Sequence, residues 1–351
     1  MKAVVFQDVG RVTVEDVAEP EILEPTDAVV AVKTAPICGS DLHLYNGRVP
    51  GLQAGSVIGH ELVGIVESVG DEVVKVKPGD RVVGSFLIPC GSCWWCKKRE
   101  FNNCDNGNYR ALGYGIFAGD LQGAQAEKVR MPQADLTLLP IPDDLSDEQA
   151  VFAGDILTTG CYAARISKIQ EGDVVAVIGC GPVGLFTLQY ASLYRPGKLL
   201  ALDSVPDRLE MAEKLGAEPV DISKRNAVMA LAETTEGRGA DIAIECVGHV
   251  DAFRNGFDML RSGGHLVVVG VYVELGYEFP LGEAWRKNIK LTFSGVTPVP
   301  AYWEEALDAV RSGKVDPTLI VSHTLPLEEA AKGYELFDSK EAMKVVLKVN
   351  S

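Results

Sequence analysis

Val174-Val175-Ala176-Val177-Ile178-Gly179-Cys180-Gly181-Pro182-Val183-Gly184 reads as a buried strand, a tight glycine turn and the start of a helix. Five apolar, mostly β-branched residues in a row suit a strand covered on both faces. Pro182 stands where a helix can begin, since its missing N–H would be unpaired there anyway. Gly179-x-Gly181-x-x-Gly184 alone is a weak signal. Here it follows a strand and opens a helix, and Asp203 closes the next apolar run, Leu199-Leu200-Ala201-Leu202. That is the context of a dinucleotide-binding fingerprint. Gly179 permits the turn, Gly181 lets a pyrophosphate approach the backbone, and Gly184 lets helix and strand pack closely. The helix opened by Pro182 and Val183 would present amide donors and a positive dipole end to the phosphates. Asp203 would accept hydrogen bonds from the adenosine ribose hydroxyls and repel a 2′-phosphate, which favours NAD over NADP. Arg208, a little further on, would soften that preference.

Further along, helical Arg208 to Leu215, strand-like 242–244, helical 252–260 and strand-like 266–269 alternate. This alternation predicts an α/β unit with a doubly wound parallel sheet. Upstream the texture differs. Residues 1 to about 150 run in short alternating stretches broken by Pro20, Pro25, Pro78 and many glycines. They predict a small antiparallel barrel or sandwich. After about 295 the pattern breaks again, with a helix over Trp303–Val310 and a closing strand over Lys344–Val349.

Composition is that of a globular protein, with 47% apolar and 23% charged residues. A net charge of −16 argues against nucleic acid or an anionic membrane as partner. No apolar run of about 18 residues predicts a membrane span, and Met1–Phe6 lacks the pattern of a secretory signal. A cytoplasmic protein is therefore expected. Its eight cysteines then read as metal ligands or reactive thiols rather than a disulfide framework.

Four of them fall in one short window, Cys90-x2-Cys93-x2-Cys96-x7-Cys104. Four thiolates at such spacing can close a tetrahedral zinc shell with no open position, so this metal is assigned to structure. Free buried cysteines and an iron–sulfur cluster are the alternatives. Lys97, Lys98 and Arg99 would offset part of the thiolate charge. Cys161, Cys180 and Cys246 read as buried packing thiols. A dispersed set comprises Cys38-Gly39-Ser40-Asp41-Leu42-His43, Gly59-His60-Glu61 and the carboxylate of Phe152-Ala153-Gly154-Asp155-Ile156-Leu157. Asp155 is a lone charge in an apolar helix start, which is costly without compensation. With Cys38 and His60 it would form a three-ligand site with one open position, the mark of a catalytic zinc. Glu61 would stand behind His60 or exchange onto the metal. Phe86 and Tyr114 are candidates to line an apolar pocket.

With these motifs the chain resembles a zinc-dependent alcohol dehydrogenase of the medium-chain dehydrogenase/reductase superfamily. The resemblance spans essentially the whole sequence. It implies a GroES-like catalytic domain at 1–155, a Rossmann domain at 156–295, and a segment at 296–351 that returns to the catalytic domain. It implies two zinc ions per subunit, NAD(H), and reversible oxidation of an alcohol to an aldehyde or ketone by hydride transfer. Formaldehyde, polyol and diol substrates stay open, as does a catalytically inactive zinc- and nucleotide-binding protein. By the same resemblance Ser40 and His43 fall on a proton relay. Thr159, Val247, Val269 and Val271 fall near the nicotinamide, and Lys344 near the pyrophosphate. A homodimer or homotetramer is implied. One departure is the third catalytic ligand, an aspartate where Cys2His is the common set. It makes the site harder and more open to cobalt.

Overall fold

The computed structural model describes residues 1–49, 51–106, 110–273 and 276–349. The chain forms two compact units, Met1–Thr158 with Val296–Ser351, and Thr159–Gly295.

In the second unit, six strands lie in the order Glu218–Asp221, Lys198–Asp203, Val174–Ile178, Ala240–Glu245, Leu260–Val268, Lys290–Phe293. Every neighbouring pair is parallel. Val174–Ile178 is buried throughout, as its unbroken apolar run requires. The strand order reverses between Val174–Ile178 and Ala240–Glu245. In such sheets ligands bind beyond the carboxyl ends of the strands at that reversal. Two edge strands and two helices, Ala227–Thr234 and Leu281–Lys287, were not expected from the sequence. Glu218–Asp221 contains Pro219, which an edge strand tolerates because one side needs no ladder bond. Lys290–Phe293 leaves Leu291 and Phe293 exposed, so it has no clean apolar pattern. Helix Ala227–Thr234 starts at Asn226, whose side chain accepts from Met229 N–H.

In the first unit the long strand Ala28–Ile37 is the organising element. It pairs antiparallel with Leu62–Val69, Lys128–Met131 and Val345–Lys348. Val345–Lys348 comes from the chain's end, so the C-terminal segment is built into this sheet. Val30, Val32, Leu62, Val82, Met131 and Leu347 share one core with Tyr334 and Phe337. The latter two lie on helix Ala330–Asp338. The expected helix over Trp303–Val310 extends over Val299–Arg311. No helix among the described residues is long and apolar enough to cross a membrane.

The stretch expected to be one helix start is two pieces. Val151–Gly154 is a 3-10 turn and Ile156–Ser167 an α-helix. Asp155 sits at the joint with φ −154° and ψ −94°, neither helical nor extended. The joint takes its side chain off the helix surface and turns it toward the sheet end that carries Cys38.

Candidate active site

Strand Ala28–Ile37 ends immediately before Cys38. The chain then turns tightly: Cys38 N–H donates to Asp41 Oδ2 at 2.9 Å, and Asp41 N–H to Cys38 C=O at 3.1 Å. His60 lies just ahead of strand Leu62–Val69, behind Gly59 at φ +91°. Position 59 must be glycine for a second reason. A Cβ there would stand 2.3 Å from Gln125 Cγ, a separation no side chain reaches.

Cys38, His60 and Asp155 come together in the first unit with their donor atoms within 4.8 Å of one another. All three are buried. Cys38 Sγ is 3.3 Å and His60 Nε2 3.1 Å from Asp155 Oδ2. Burial of so much unlike polarity is costly unless one cation satisfies all three. Asp41, to which sequence reasoning assigned no role, sits behind the imidazole with Oδ1 2.9 Å from His60 Nδ1. The two atoms are in ion-pair contact rather than in hydrogen-bond geometry, but the carboxylate charge beside Nδ1 favours the proton there and leaves Nε2 free as a ligand. An aspartate in a turn is too common to signal this from sequence alone. The donor set of a thiol, an imidazole and a carboxylate, with no fourth donor in the group among the described residues, fits a three-ligand zinc site.

The electrostatics of the cluster without its cation are consistent with this. Burial, with Asp155 and Glu61 nearby, pushes the Cys38 thiol up. For His60, burial lowers the pKa, but the Asp41 and Asp155 carboxylates outweigh it and raise it well above the usual value. For Asp155, burial raises the pKa, but the His60 bond and the charges of His60 and Lys344 win and lower it. Zinc entry must therefore displace a proton from Cys38 and another from His60. Zinc affinity at this site should thus rise with pH, by up to about 100-fold per unit while both groups are protonated. Competition titrations with a chelator between pH 6 and 8 would measure this. A pH-independent affinity would mean that these two groups are not the ligands.

Ser40 Oγ lies 3.3 Å from Cys38 Sγ and 3.4 Å from His60 Nε2, at the rim of the cluster. His43, on helix Asp41–Tyr45, is joined to Ser40 through the backbone, its N–H donating to Ser40 C=O at 3.1 Å. The Phe86 and Tyr114 rings flank His60, with centroids 6.0 and 5.3 Å away.

Glu61 and Lys344 pair with each other. Lys344, expected at a pyrophosphate, has no exposed surface, and its Nζ lies 2.7 Å from Glu61 Oε2. The ammonium neutralises a buried carboxylate in its own unit. Burial pushes Glu61 up to about 7 despite the lysine. Its Oε1 is buried with no hydrogen-bond partner among the described residues. Nothing in the sequence links positions 283 residues apart; only the return of the C-terminal strand joins them.

The four-cysteine lobe also forms in the first unit. Its donor atoms lie within 4.8 Å of one another, with Cys90 Sγ to Cys96 Sγ at 3.9 Å and Cys93 Sγ to Cys104 Sγ at 4.0 Å. Sulfurs ~2.3 Å from a tetrahedral zinc stand ~3.8 Å apart, so the cage has the right size. None of the eight cysteines is in a disulfide. Burial opposes ionisation of Cys90, but the Ser92 and Cys93 amides bring its pKa down to about 5. The expected charge offset by the neighbouring cations takes a different form. Lys98 lies 3.8 Å over the Trp94 ring, and Arg99 donates to the carbonyls of Pro300 and Ala301.

In the second unit the glycine turn is as tight as the fingerprint demands. A Cβ on Gly184 would lie 1.8 Å from Gly179 C=O. Gly181 caps helix Pro182–Ser192, with Pro182 at its first turn and Val183 next. Asp203 does more than expected. Its Oδ2 accepts from Cys180 N–H at 2.7 Å, and its Oδ1 from Ser204 and Val205 N–H at 2.7 and 2.9 Å. It thereby ties the glycine turn to the next loop, and Arg208 Nη1 stands 3.9 Å away. Val247 and Val271 are exposed and Val269 buried. The turn at Val247 and Gly248 is held by the fully buried Glu245, whose Oε1 accepts both amides at 2.6 and 2.8 Å. The sequence analysis assigned that residue no role. Thr159 lies in the first turn of helix Ile156–Ser167.

The chain matches the alcohol dehydrogenase GroES-like domain over residues 24–143 and the zinc-binding dehydrogenase family over residues 182–312. An uncharacterized zinc-type alcohol dehydrogenase-like protein of Bacillus subtilis is 38% identical, over 99% of this chain and 100% of its own. Erythritol/L-threitol dehydrogenase of Mycolicibacterium smegmatis is 33% identical, over 99% of this chain and 97% of its own. Among solved structures, the alcohol dehydrogenase of Thermus sp. ATN1 superposes with a TM-score of 0.94 at 44% identity, covering 100% of both chains.

Proposed function

Since the chain belongs to the zinc-type alcohol dehydrogenases of the medium-chain dehydrogenase/reductase superfamily, we propose that it oxidises an alcohol reversibly to an aldehyde or ketone with NAD(H). The observation that carries this is the buried meeting of Cys38, His60 and Asp155, three unlike donors from distant parts of the sequence. Zinc held by Cys38, His60 and Asp155 would supply Lewis-acid polarisation of the substrate oxygen, and a nicotinamide bound to the second unit would supply hydride chemistry. The chain's own residues do the rest. Asp41 orients His60. Ser40, at the rim of the ligand cluster, accepts the hydroxyl proton of the alcohol and passes it toward His43. Phe86 and Tyr114 give the substrate an apolar wall beside His60. Gly181, Val183 and Gly184 hold the pyrophosphate through backbone N–H groups, while Gly179 makes the turn and Pro182, which has no N–H to offer, starts the helix. Thr159, Val247, Val269 and Val271 contact the nicotinamide. The second zinc, in the four-cysteine lobe, is structural. The 1–155 and 156–295 domains divide the work between substrate and cofactor. NADH formation at 340 nm across an alcohol panel, with zinc quantitation, tests the proposal. Activity retained without zinc would refute it.

A polyol or diol substrate is the second reading, favoured by the similarity to the erythritol/L-threitol enzyme. For the cofactor, Asp203 supports NAD. A like charge against a 2′-phosphate costs several kcal/mol, so NADPH should bind roughly 100-fold more weakly than NADH. Fluorescence titration of both dinucleotides measures this, and equal affinities would show that Arg208 cancels the repulsion. Association into a homodimer or homotetramer is part of the same reading. Leu281, Trp285, Leu291 and Phe293 are exposed in the second unit, apolar surface that association would cover.

A further inference from the structure

A buried polar chain continues behind the catalytic ligand cluster into the C-terminal segment. Tyr334 Oη donates to Gln125 Oε1 at 2.8 Å. Gln125 Nε2 donates to Asp41 Oδ2 at 3.3 Å and to Pro36 C=O at 3.2 Å. Asp41 Oδ2 also accepts Cys38 N–H, and Asp41 Oδ1 faces His60 Nδ1. Tyr334, Gln125 and Asp41 are all 0% exposed. A tyrosine and a glutamine need not be in a core that is otherwise apolar; each is costly there unless satisfied.

The direction of the chain matters. An amide can present its oxygen or its NH2 to a neighbour, and the neighbours decide which. The Tyr334 hydroxyl claims the oxygen of Gln125, which leaves the NH2 for Asp41. Without the hydroxyl, the buried Gln125 Oε1 loses its donor, and the amide is held only by the pull of Asp41 and Pro36 C=O on its NH2. With its oxygen turned toward Asp41 it would repel the carboxylate. Gly59 leaves room for the Gln125 side chain, since a Cβ there would overlap Gln125 Cβ, Cγ and Cδ.

We infer that Tyr334 and Gln125 are positioning residues of the catalytic metal, acting through Asp41 on the His60 and Cys38 ligands. The inference rests on the assignment of Cys38, His60 and Asp155 as that site. It makes helix Ala330–Asp338, far along the sequence, part of what holds the zinc.

The test is zinc release from the holoenzyme to a chromogenic chelator, with Asp155→Asn identifying the phase that belongs to the catalytic site. Removing a partner that touches a ligand costs roughly 10–100-fold in metal affinity, so a group one contact further out should cost about 3–10-fold. Tyr334→Phe, nearly isosteric, is expected to speed catalytic-zinc release by that factor, to leave the four-cysteine phase in place, and to lower the melting temperature by only a few degrees, the cost of one unpaired Gln125 oxygen. The cobalt-substituted enzyme should show shifted visible bands in the same variant. Gln125→Leu should show the same pattern, at least as strongly. An unchanged release rate and unchanged cobalt spectrum in Tyr334→Phe would overturn the inference. So would equal acceleration of both zinc phases, which would mark general loosening of the unit. If Asp155→Asn keeps both zinc ions, the site assignment itself is what fails.

Discussion

Asp155→Asn is expected to reduce turnover by roughly 10³-fold or more and to leave one zinc per chain. An amide keeps the shape but loses the charge, so the ligand set falls from two negative charges to one. The substitution also disturbs both other ligands, because Asp155 Oδ2 is within 3.3 Å of Cys38 Sγ and 3.1 Å of His60 Nε2. A bound metal contributes several kcal/mol of charge stabilisation, and because rate depends exponentially on the barrier, its loss costs several powers of ten. The zinc that remains should be the one in the lobe of Cys90, Cys93, Cys96 and Cys104, which shares no residue with the site. Zinc quantitation beside an NADH assay at 340 nm reads both effects. Retention of two zinc ions with near-normal activity would refute the ligand assignment.

Lys344→Met is expected to destabilise the protein by about 3–5 kcal/mol, because it strands the buried Glu61 carboxylate. Both side chains of the pair are 0% exposed. For a unit of this size the melting temperature should fall by roughly 6–15 °C. The pH dependence has a definite sign. Burial already holds Glu61 near 7 with the lysine present, and losing the ammonium removes the strongest influence pulling it down. A carboxyl whose folded pKa lies above its unfolded value carries its proton in the fold and loses it on unfolding. Its stabilising contribution is complete at low pH and is lost as pH rises through the folded pKa. The variant should therefore be worse at pH 9 than at pH 6. Glu61→Gln combined with Lys344→Met should recover much of the loss, since no buried charge is left. Thermal unfolding at the two pH values checks this. A single variant as stable as the parent at pH 9 would show that the pair is not electrostatically coupled.

Much of the cofactor unit was legible because its signals are local. Val174–Ile178, the glycine turn and Asp203 lie close together along the chain, and strand, turn and helix each follow from the periodicity and the glycines of that stretch. Its edge strands were not legible. Glu218–Asp221 and Lys290–Phe293 bury too little to show a pattern, and neighbours decide their pairing. The four-cysteine lobe was equally local, and its sulfurs stand as close as the spacing suggested.

The ligand candidates themselves came from residue type. A cysteine, a histidine and a carboxylate stranded in an apolar run are chemically conspicuous anywhere in a chain. What stands around them was not conspicuous. Asp41 looks like any turn aspartate, Gln125 like any polar residue between strands, and Lys344 like the start of a surface strand. Each acquires its part from a neighbour brought up by the sheet. Asp41 meets His60, Gln125 meets Tyr334, and Lys344 meets Glu61 because Val345–Lys348 pairs with Ala28–Ile37.

The amino-acid sequence alone therefore determined the α/β class, the glycine turn and which residues are candidate metal donors, because each depends on residue type or on neighbours within one or two elements. Only the tertiary structure decided how Asp155 turns out of the helix to meet Cys38 and His60, and which buried groups orient and neutralise them. Those pairings cross up to 283 residues of chain. At that separation no periodicity carries the information. It resides in the burial that makes an unpaired charge too costly to leave alone.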